Sequence, residues 1–175
     1  MNVHVHGLVP SPEADTLSLK DAMRCVVGGV AVITAGVGEE RTGLTATSAV
    51  SLSMDPPTML ICVNRTSSTY PVIQRRRHFC VNIVHAGQAA VASRFAGAGG
   101  AKGTARYEEA DWTTMGSGAS GLVGALAVID CAVEEIIERH SHAIILGAVR
   151  DVRGSLGDGT ALVYGHGRFG SLNML

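Results

Sequence analysis

The polar run at residues 43–57 constrains the fold more than any other part of this 175-residue chain. Hydroxyl-bearing side chains alternate there with apolar ones, and the apolar segment 58–64 follows at once. Such alternation is typical of a strand with one face on a core and the other available to a polar ligand. Because proline cannot donate to a sheet ladder, Pro56 and Pro57 predict a connection between two strands.

The rest of the chain carries many strand signals and few helical ones. Ser18 begins a capping-box-like sequence with apolar residues at helical spacing up to Gly28, which predicts a short helix. Further helices are predicted near 71–75 and 88–95, and a long loop anchored by Trp112 is predicted at 107–121. Strands are predicted at 30–34, from 43 onward, at 60–63, 79–84, 126–137, 143–152 and 160–164. Short turns between successive strands favour a mainly β fold, an antiparallel barrel with a few short helices.

Length and charge narrow the class of function. We expect a single domain over 18–175, preceded by a flexible N-terminal tail at 1–17 that lacks the features of a signal peptide. The formal net charge is -1 at pH 7, which argues against a nucleic-acid partner. No apolar run reaches membrane-spanning length, so no membrane association is expected. The sequence therefore predicts a cytoplasmic protein with a small-molecule partner.

Charge content and cysteine spacing add two expectations. Only 17% of the residues are charged and 46% are hydrophobic, so part of the surface is expected to be covered by self-association, with a homodimer as the default. Cys25, Cys62, Cys80 and Cys131 have no C-x-x-C spacing and lie in apolar stretches. They are expected to be buried free thiols in a reducing compartment.

Several short motifs match known chemical patterns without the context that each pattern requires. The G-x-G-x-x-G match at 116–121 precedes a predicted strand, and the one at 165–170 leaves too few residues for a phosphate-binding helix. The His-x-His pairs at 4–6 and 140–142 lack the further ligands of a zinc site. There is no G-x-S-x-G motif, and apolar surroundings disfavour cysteine thiolates. We therefore expect no metal and no catalytic nucleophile.

The hydroxyl-rich run, with Asn64 and the segment 67–69 two connections away, suits a flavin. A flavin needs donors and acceptors along its ring edge and a cradle for its phosphate, and neutral hydroxyls, amides and a helix start provide both. On composition alone, an ordinary strand rich in threonine and serine is the alternative.

Six segments occur in register between about Leu19 and Phe169. They are Gly-Val-Ala-Val-Ile-Thr at 29–34, the run at 43–57, Phe-Cys-Val-Asn-Ile at 79–83, Ser-Arg-Phe at 93–95, His-Ala-Ile-Ile-Leu-Gly-Ala-Val at 142–149, and the stretch 164–169. Together they resemble the short-chain flavin reductases, the reductase components of two-component flavin-dependent monooxygenases. The resemblance implies a flavin reductase-like split β-barrel, also called the FMN-binding split barrel.

The resemblance implies two groups of binding residues. A flavin would be bordered by a first group, whose last four members would hold its phosphate end: Thr45, Ala46, Thr47, Ser48, Ser51, Cys62, Val63, Asn64, Ser68, Thr69, Arg94 and Phe95. NAD(P)H would be bordered by a second group: Gly43, His142, Tyr164, Gly165, His166, Gly167 and Phe169. Relatives often have Gly-Asp-His where this chain has His140-Ser141-His142, so the supporting acid is missing here.

The resemblance also implies a reaction. Hydride would pass from the nicotinamide of NADH (or NADPH) to FMN (or FAD), and the protein would align the two rings without a catalytic side chain. A separate flavin-dependent monooxygenase would receive the reduced flavin. Two alternatives stay open. One is a non-catalytic split barrel that binds flavin or haem, with His142 or His166 as an axial ligand. The other is a flavin oxidase of the pyridoxamine-phosphate-oxidase type, although no basic cluster for that phosphate is evident.

Overall fold

The computed structural model describes residues 18–154 and 159–172, so the predicted tail at 1–17 and its His-x-His pair lie outside the described residues. The α-helices are α1 Leu19–Arg24, α2 Tyr70–Arg76 and α3 Ala89–Phe95. The strands are β1 Gly28–Gly29, β2 Ala31–Ala35, β3 Thr42–Ala46, β4 Val50–Met54, β5 Pro57–Asn64, β6 His78–Ile83, β7 Trp112–Thr114, β8 Ser120–Leu122, β9 Ala127–Arg139, β10 His142–Gly154, β11 Leu162–Gly165 and β12 Arg168–Ser171.

Seven strands form one large antiparallel sheet in the order β3-β2-β6-β9-β10-β5-β4. A smaller sheet has the order β1-β11-β12, and β7 pairs with β8. The two longest strands, β9 and β10, are neighbours joined by a tight turn, and β2 and β3 form the hairpin expected from the sequence. The mainly β, antiparallel architecture predicted from the sequence is therefore confirmed.

The two faces of the large sheet carry two apolar cores. Successive side chains along β2 point to opposite faces, so alternate residues of this strand enter different cores. The first core lies against α2 and includes Ile33, Ile61, Ile73, Phe79 and Ile145. The second lies beneath α3 and the β7–β8 hairpin and includes Val32, Cys80, Phe95, Tyr107 and Leu122. Full burial of one such side chain stabilises the fold by about 2 kcal/mol, so β2 is held from both sides.

Two buried polar side chains fix the β7–β8 hairpin on the sheet. Asn82 Nδ2 donates to the carbonyl oxygen of Val32 at 2.9 Å, and its Oδ1 accepts from the backbone N–H of Leu122 at 2.6 Å. Thr34 Oγ1 donates to the carbonyl oxygen of Ser120 at 2.6 Å. These contacts correct the predicted loop at 107–121, because the side chains that hold the hairpin on the sheet lie on β6 and β2, which are distant in sequence.

Three other sequence predictions need correction. The run from residue 43 forms two strands, β3 and β4, because the link 47–49 leaves the sheet ladder. β12 was not predicted at all, since its glycine and arginine content carries no strand signal. The first helix ends at Arg24, so Val26 and Val27 lie beyond it, and α1 has no buried residue. Its predicted apolar face is exposed, with Leu19 79% and Met23 55% accessible.

Other expectations agree with the structure. Ser18 caps α1, its Oγ accepting from the N–H of Asp21 at 3.2 Å. Asp55 and Pro56 form the turn between β4 and β5 through a cis peptide bond. Trp112 anchors its segment, since its indole N–H donates to the carbonyl oxygen of Tyr107 at 2.9 Å. None of the helices in the described ranges combines the length and apolar character needed to cross a bilayer.

The cysteines are all free, but not all buried as predicted. Cys80 and Cys131 are buried, Cys62 is half-buried, and Cys25 is exposed because it follows the end of the solvent-facing α1. Burial raises the pKa of the Cys131 thiol to about 12 and also raises that of Cys80. Both are therefore protonated at neutral pH and poorly nucleophilic.

His78, at the start of β6, is a buried imidazole whose Nε2 has no hydrogen-bond partner in the described part of the chain. Desolvation by burial lowers the pKa of His78. The charge of Asp130 opposes this shift, and the charge of Arg76 adds to it. The folded state therefore favours the neutral ring.

This lowered pKa predicts a pH-dependent stability. As pH falls below the ordinary histidine pKa of about 6.5, the unfolded chain takes up a proton that folded His78 resists, so the free energy of unfolding decreases. His78→Leu is expected to reduce this decrease, because leucine cannot be protonated. Urea unfolding between about pH 7.5 and about pH 5 measures it. Equal slopes for wild type and variant would contradict the prediction.

Candidate functional site

The predicted site centres on β3 and the link to β4. Thr45, on β3, donates its hydroxyl to the carbonyl oxygen of Ala92 on α3 at 2.5 Å, and its oxygen can still accept a hydrogen bond. Ser48, in the link, is half-buried and bridges to β5, donating to the carbonyl oxygen of Cys62 at 3.2 Å and accepting from its N–H at 3.4 Å. The two hydroxyls thus fix the link between α3 and β5.

Strand β1 brings the chain's C-terminal hairpin to the same place. Gly28 pairs with Tyr164 in the small sheet, and a Cβ added to Gly28 would lie 3.1 Å from the Cβ of Thr47. A larger residue at position 28 would therefore push β1 away from the link. The close approach of the glycine places Tyr164 beside the exposed Thr47.

A cavity of about 230 Å³ opens at this junction. It is lined by Val30, Thr45, Ala46, Thr47, Ala96, Tyr164 and Phe169. Three of these residues belong to the predicted flavin group and two to the predicted NAD(P)H group, so the structure brings the two groups together. Tyr164 and Phe169 contact each other edge to face, with ring centroids 5.4 Å apart.

A second cavity of about 290 Å³ shares Val30 and Thr47 with the first. Its other walls are Gly28, Gly29, Ala31, Ala49, Val50, Met59, Val81 and Ile83. An apolar wall beside hydroxyl-bearing residues suits a flat aromatic ring system with a polar edge, which is the chemistry of a flavin. Sequence reasoning missed Val30, Met59 and Val81, whose only signal was their alternation within strands.

Gly43, on β3, and Phe95, at the end of α3, contact each other in packed surroundings. Phe95 is buried against Tyr107 and Trp112, with ring centroids 5.1 and 5.5 Å away. A Cβ added to Gly43 would lie 2.5 Å from Cε1 of Phe95, and the Gly43 carbonyl accepts from Arg106. Phe95 thus packs against β3 at Gly43, and a ligand could reach the Phe95 ring only if this cluster opened.

Arg94 is engaged with its own chain. Its guanidinium donates to a carboxylate oxygen of Glu109 at 2.9 Å and to the carbonyl oxygen of Ala105 at 3.2 Å, and it pairs with Glu108. A phosphate at this guanidinium would compete with two carboxylates. The predicted phosphate contact of Arg94 therefore requires a rearrangement of 105–109.

The other predicted phosphate residues lie where β5 leads into α2. Thr42 Oγ1 lies 3.4 Å from the Ser68 hydroxyl and 3.3 Å from the Thr69 hydroxyl. Thr69 is buried and Ser68 is exposed, so Ser68 is the one available to a ligand. Asn64 Oδ1 accepts from the backbone N–H and the hydroxyl of Thr66, both at 2.9 Å, which shapes this loop.

This loop borders a larger open cavity of about 700 Å³. Its walls include Arg65, Ser67, Ser68, Tyr70, Glu138 and Ser141. Arg65 pairs with Glu138 at 2.7 Å, and the Tyr70 hydroxyl donates to the same carboxylate at 2.5 Å. Burial raises the pKa of Tyr70, and the hydrogen bond to Glu138 and the charge of that carboxylate raise it further. The phenol therefore stays protonated and donates to the carboxylate.

The remaining predicted residues occupy separate places. Val63 is buried in the first core, so only its backbone could reach a ligand. Ser51 is exposed on β4, its hydroxyl 3.9 Å from the sulfur of Met54. His142 begins β10 opposite Asn64, in the large sheet, whereas the 165–167 turn belongs to the small one.

His142 is exposed, and its Nδ1 lies 2.9 Å from the Ser141 hydroxyl. A serine hydroxyl therefore occupies the position expected for an acid. Among the described residues there is no cluster of three or more His, Cys, Asp or Glu side chains able to hold a metal ion.

A split β-barrel with a hydroxyl-lined cavity is the architecture of a flavin-binding reductase, and comparison with known proteins identifies the family. Residues 23–173 match the flavin reductase like domain, and the chain belongs to this family. It is 34% identical over 155 residues to an FMN reductase (NADH), RutF 2, of Rhizobium rhizogenes, an alignment covering 89% of this chain and 88% of the relative.

Two solved structures resemble the fold over nearly its whole length. The Streptomyces globisporus C-1027 NADH:FAD oxidoreductase SgcE6 aligns with a TM-score of 0.81 and 29% identity, covering 97% of this chain and 100% of that one. BorF, the flavin reductase component of a bacterial two-component tryptophan halogenase, aligns with a TM-score of 0.81 and 28% identity, covering 90% and 98%. The predicted family and split-barrel fold are therefore confirmed.

Proposed function

We propose that this protein is an NAD(P)H:flavin oxidoreductase that reduces FMN or FAD with NADH or NADPH and passes the reduced flavin to a separate flavin-dependent monooxygenase. One observation carries the proposal: a single cavity is lined both by Thr45, Ala46 and Thr47 and by Tyr164 and Phe169. The membership of this chain in the flavin reductase like family and its similarity to an FMN reductase (NADH) support the same reaction.

The residues present fit a flavin. Thr47 offers an exposed hydroxyl at the cavity, and Ser48 orders the link that carries it. Val30 and Met59 provide an apolar surface for a ring on the neighbouring wall. When bound, a flavin supplies an acceptor for the hydride of the nicotinamide.

The other predicted flavin residues surround this centre. Cys62 and Asn64 would contribute through the β5 backbone and the loop that follows, and Ser68 is the exposed hydroxyl for the phosphate end. Thr69 would help to position Ser68 indirectly, because the hydroxyls of Ser68 and Thr69 both lie within hydrogen-bond distance of the Thr42 hydroxyl.

The chain's task is alignment of two rings. Tyr164 and Phe169 form an aromatic wall of the cavity that the β3 link also lines, where they can exclude water and limit the positions of a nicotinamide. The buried thiols of Cys80 and Cys131 have raised pKa values and take no part. Hydride transfer between two bound cofactors needs no nucleophile from this chain.

Self-association is proposed from the edge of the large sheet. β4 is an edge strand and exposes Val50, Leu52 and Met54, with 50%, 53% and 82% of their surface accessible. An apolar edge strand invites pairing or coverage by another surface. We propose that a second copy covers it in a homodimer, and that the protein works in the cytoplasm, where its four free thiols stay reduced.

Steady-state oxidation of NADH with added FMN, FAD or riboflavin tests the function. Because the available anchors are neutral hydroxyls and Arg94 is already paired with carboxylates, flavin is expected to exchange as a substrate and to be lost on dialysis. NADH oxidation should then depend on added flavin. A Soret band without turnover would indicate a haem-binding protein instead. Flavin retained at one per chain after extensive dialysis would contradict the exchange.

A further inference from the structure

A fourth cavity, of about 410 Å³, lies between α1 and the β11–β12 turn. Its walls are Lys20, Met23, Arg24, Val26, Tyr164, Gly165, His166 and Gly167. Helix α1 contributes nothing to the two apolar cores, since none of its residues is buried. Its contacts with the turn are therefore what positions it in the described structure.

Backbone contacts build the cavity. The N–H of His166 donates to the carbonyl oxygen of Arg24 at 2.8 Å, which joins the end of α1 to the turn. Gly167 has a φ of +79°, and a Cβ added there would lie 3.2 Å from Nη2 of Arg24. The guanidinium of Arg24 therefore lies close to Gly167 in the turn.

The charge of the cavity is positive. In the ranges 18–154 and 159–172, neither Lys20 nor Arg24 has a side-chain hydrogen bond or ion pair, whereas Arg65, Arg76 and Arg94 all have carboxylate partners. The carboxylate of Asp21, the acid of α1, accepts a hydrogen bond from the hydroxyl of Ser18 instead of pairing with either cation. Two cations that line one cavity and have no carboxylate partner among the described residues favour an anionic ligand. His166 adds a hydrogen-bonding ring beside them.

The walls between these cations are apolar and aromatic. Met23 and Val26 are 55% and 56% exposed, and the ring of Tyr164 faces the same cavity. Tyr164 also lines the cavity assigned to the two reacting rings, so the two cavities meet at this side chain. The cations, the apolar wall and Tyr164 together match a ligand that has phosphates, an aromatic base and a second ring that reaches past Tyr164.

From this arrangement we infer that Lys20 and Arg24 bind the pyrophosphate of the nicotinamide dinucleotide, with its adenosine against Met23 and Val26. The inference rests on the proposed function and extends it to a binding subsite on α1. Charge-assisted contacts to the phosphates hold the dinucleotide while its nicotinamide lies beyond Tyr164. These residues are not catalytic, because they contact the half of the donor that does not react.

The test compares two hydride donors on Lys20→Gln and Arg24→Gln. The KM for NADH is expected to rise about tenfold for Arg24→Gln, because a tenfold change corresponds to the loss of about one charge-assisted hydrogen bond. The kcat and the KM for FMN should be unchanged. The phosphate-free donor 1-benzyl-1,4-dihydronicotinamide should be used equally well by wild type and variants. Equal losses with both donors would overturn the subsite and indicate displacement of α1, and an unchanged KM for NADH would overturn it as well.

Binding of ADP-ribose by calorimetry tests the same subsite without turnover. Wild type is expected to bind it, Arg24→Gln about tenfold more weakly, and binding should weaken with added salt because exposed charges are screened. Lys102→Gln and Arg150→Gln remove matched exposed charges elsewhere and should change nothing. If wild type oxidised no NADH with any flavin, the proposed reaction would fail, while ADP-ribose binding would still decide the subsite. Equal ADP-ribose affinity of wild type and Arg24→Gln would overturn the inference.

Discussion

Ser48→Leu is expected to weaken FMN binding by at least about tenfold, with the fold retained. Ser48 is half-buried in the link between β3 and β4, and its hydroxyl makes two hydrogen bonds with the backbone of Cys62. Leucine removes both bonds and adds apolar volume beside Thr47, where the proposed ring edge needs a polar surface. Fluorescence titration of the dialysed protein with FMN measures the effect.

Two controls separate the causes of this loss. Ser48→Ala removes the hydroxyl without adding volume, so it should weaken FMN binding less than leucine does. Thr114→Leu places the same leucine on an exposed position of β7, outside the proposed site, and should leave affinity unchanged. If Ser48→Leu bound FMN with wild-type affinity and had a wild-type circular dichroism spectrum, the link would not border the flavin.

Local sequence was sufficient for the main strands. Four of the six residues of β6 are apolar and two of these are β-branched, and the strand lies inside the large sheet, buried on both faces. Such residues fit a pleated, buried surface, so the local pattern was sufficient to predict a strand here. The hairpin of β2 and β3 was predictable for the same reason, because its polar turn separates two clear strand patterns.

Short strands with long-range partners could not be predicted in this way. β7 and β8 have three residues each, and their ordering depends on Asn82 and Thr34, which lie on β6 and β2. The break after β3 likewise depends on the contact of Ser48 with Cys62 on another strand. Such contacts exist only once the sheet has formed, so no local pattern contains them.

The same distinction applies to the site. Alternation in the run at 43–57 predicted a polar face, and the family resemblance assigned Thr45 and Thr47 to a flavin; both residues line the cavity of about 230 Å³. Sequence reasoning could not show whether Phe95 contacts a ligand or only packs against β3, because the burial of Phe95 follows from aromatic packing with Tyr107 and Trp112. Nor could it foresee that the charge of Arg94 would be paired with carboxylates.

Asn82→Leu is expected to lower the free energy of unfolding by about 3 kcal/mol. Asn82 is fully buried and makes three hydrogen bonds, two through Nδ2 and one from the N–H of Leu122, which is 2.6 Å from Oδ1. Leucine has a similar volume, but it leaves the buried N–H of Leu122 without its acceptor. Since this bond holds β8 on the sheet, the hairpin should loosen before the rest of the fold.

Urea unfolding of the flavin-free protein, followed by circular dichroism, measures this change. Gln74→Leu replaces an exposed amide on α2 whose hydrogen bond to the Tyr70 hydroxyl leaves no buried group without a partner when it is lost, and it should lower the free energy of unfolding by less than about 1 kcal/mol. If Asn82→Leu does not fold, Thr34→Val provides a milder test, because it removes the 2.6 Å bond to Ser120 and the longer 3.4 Å bond from Asn82 but keeps the acceptor of the Leu122 N–H, and it should cost about 1 kcal/mol. Wild-type stability in both variants would show that the apolar contacts of the second core, rather than these polar anchors, hold the β7–β8 hairpin in place.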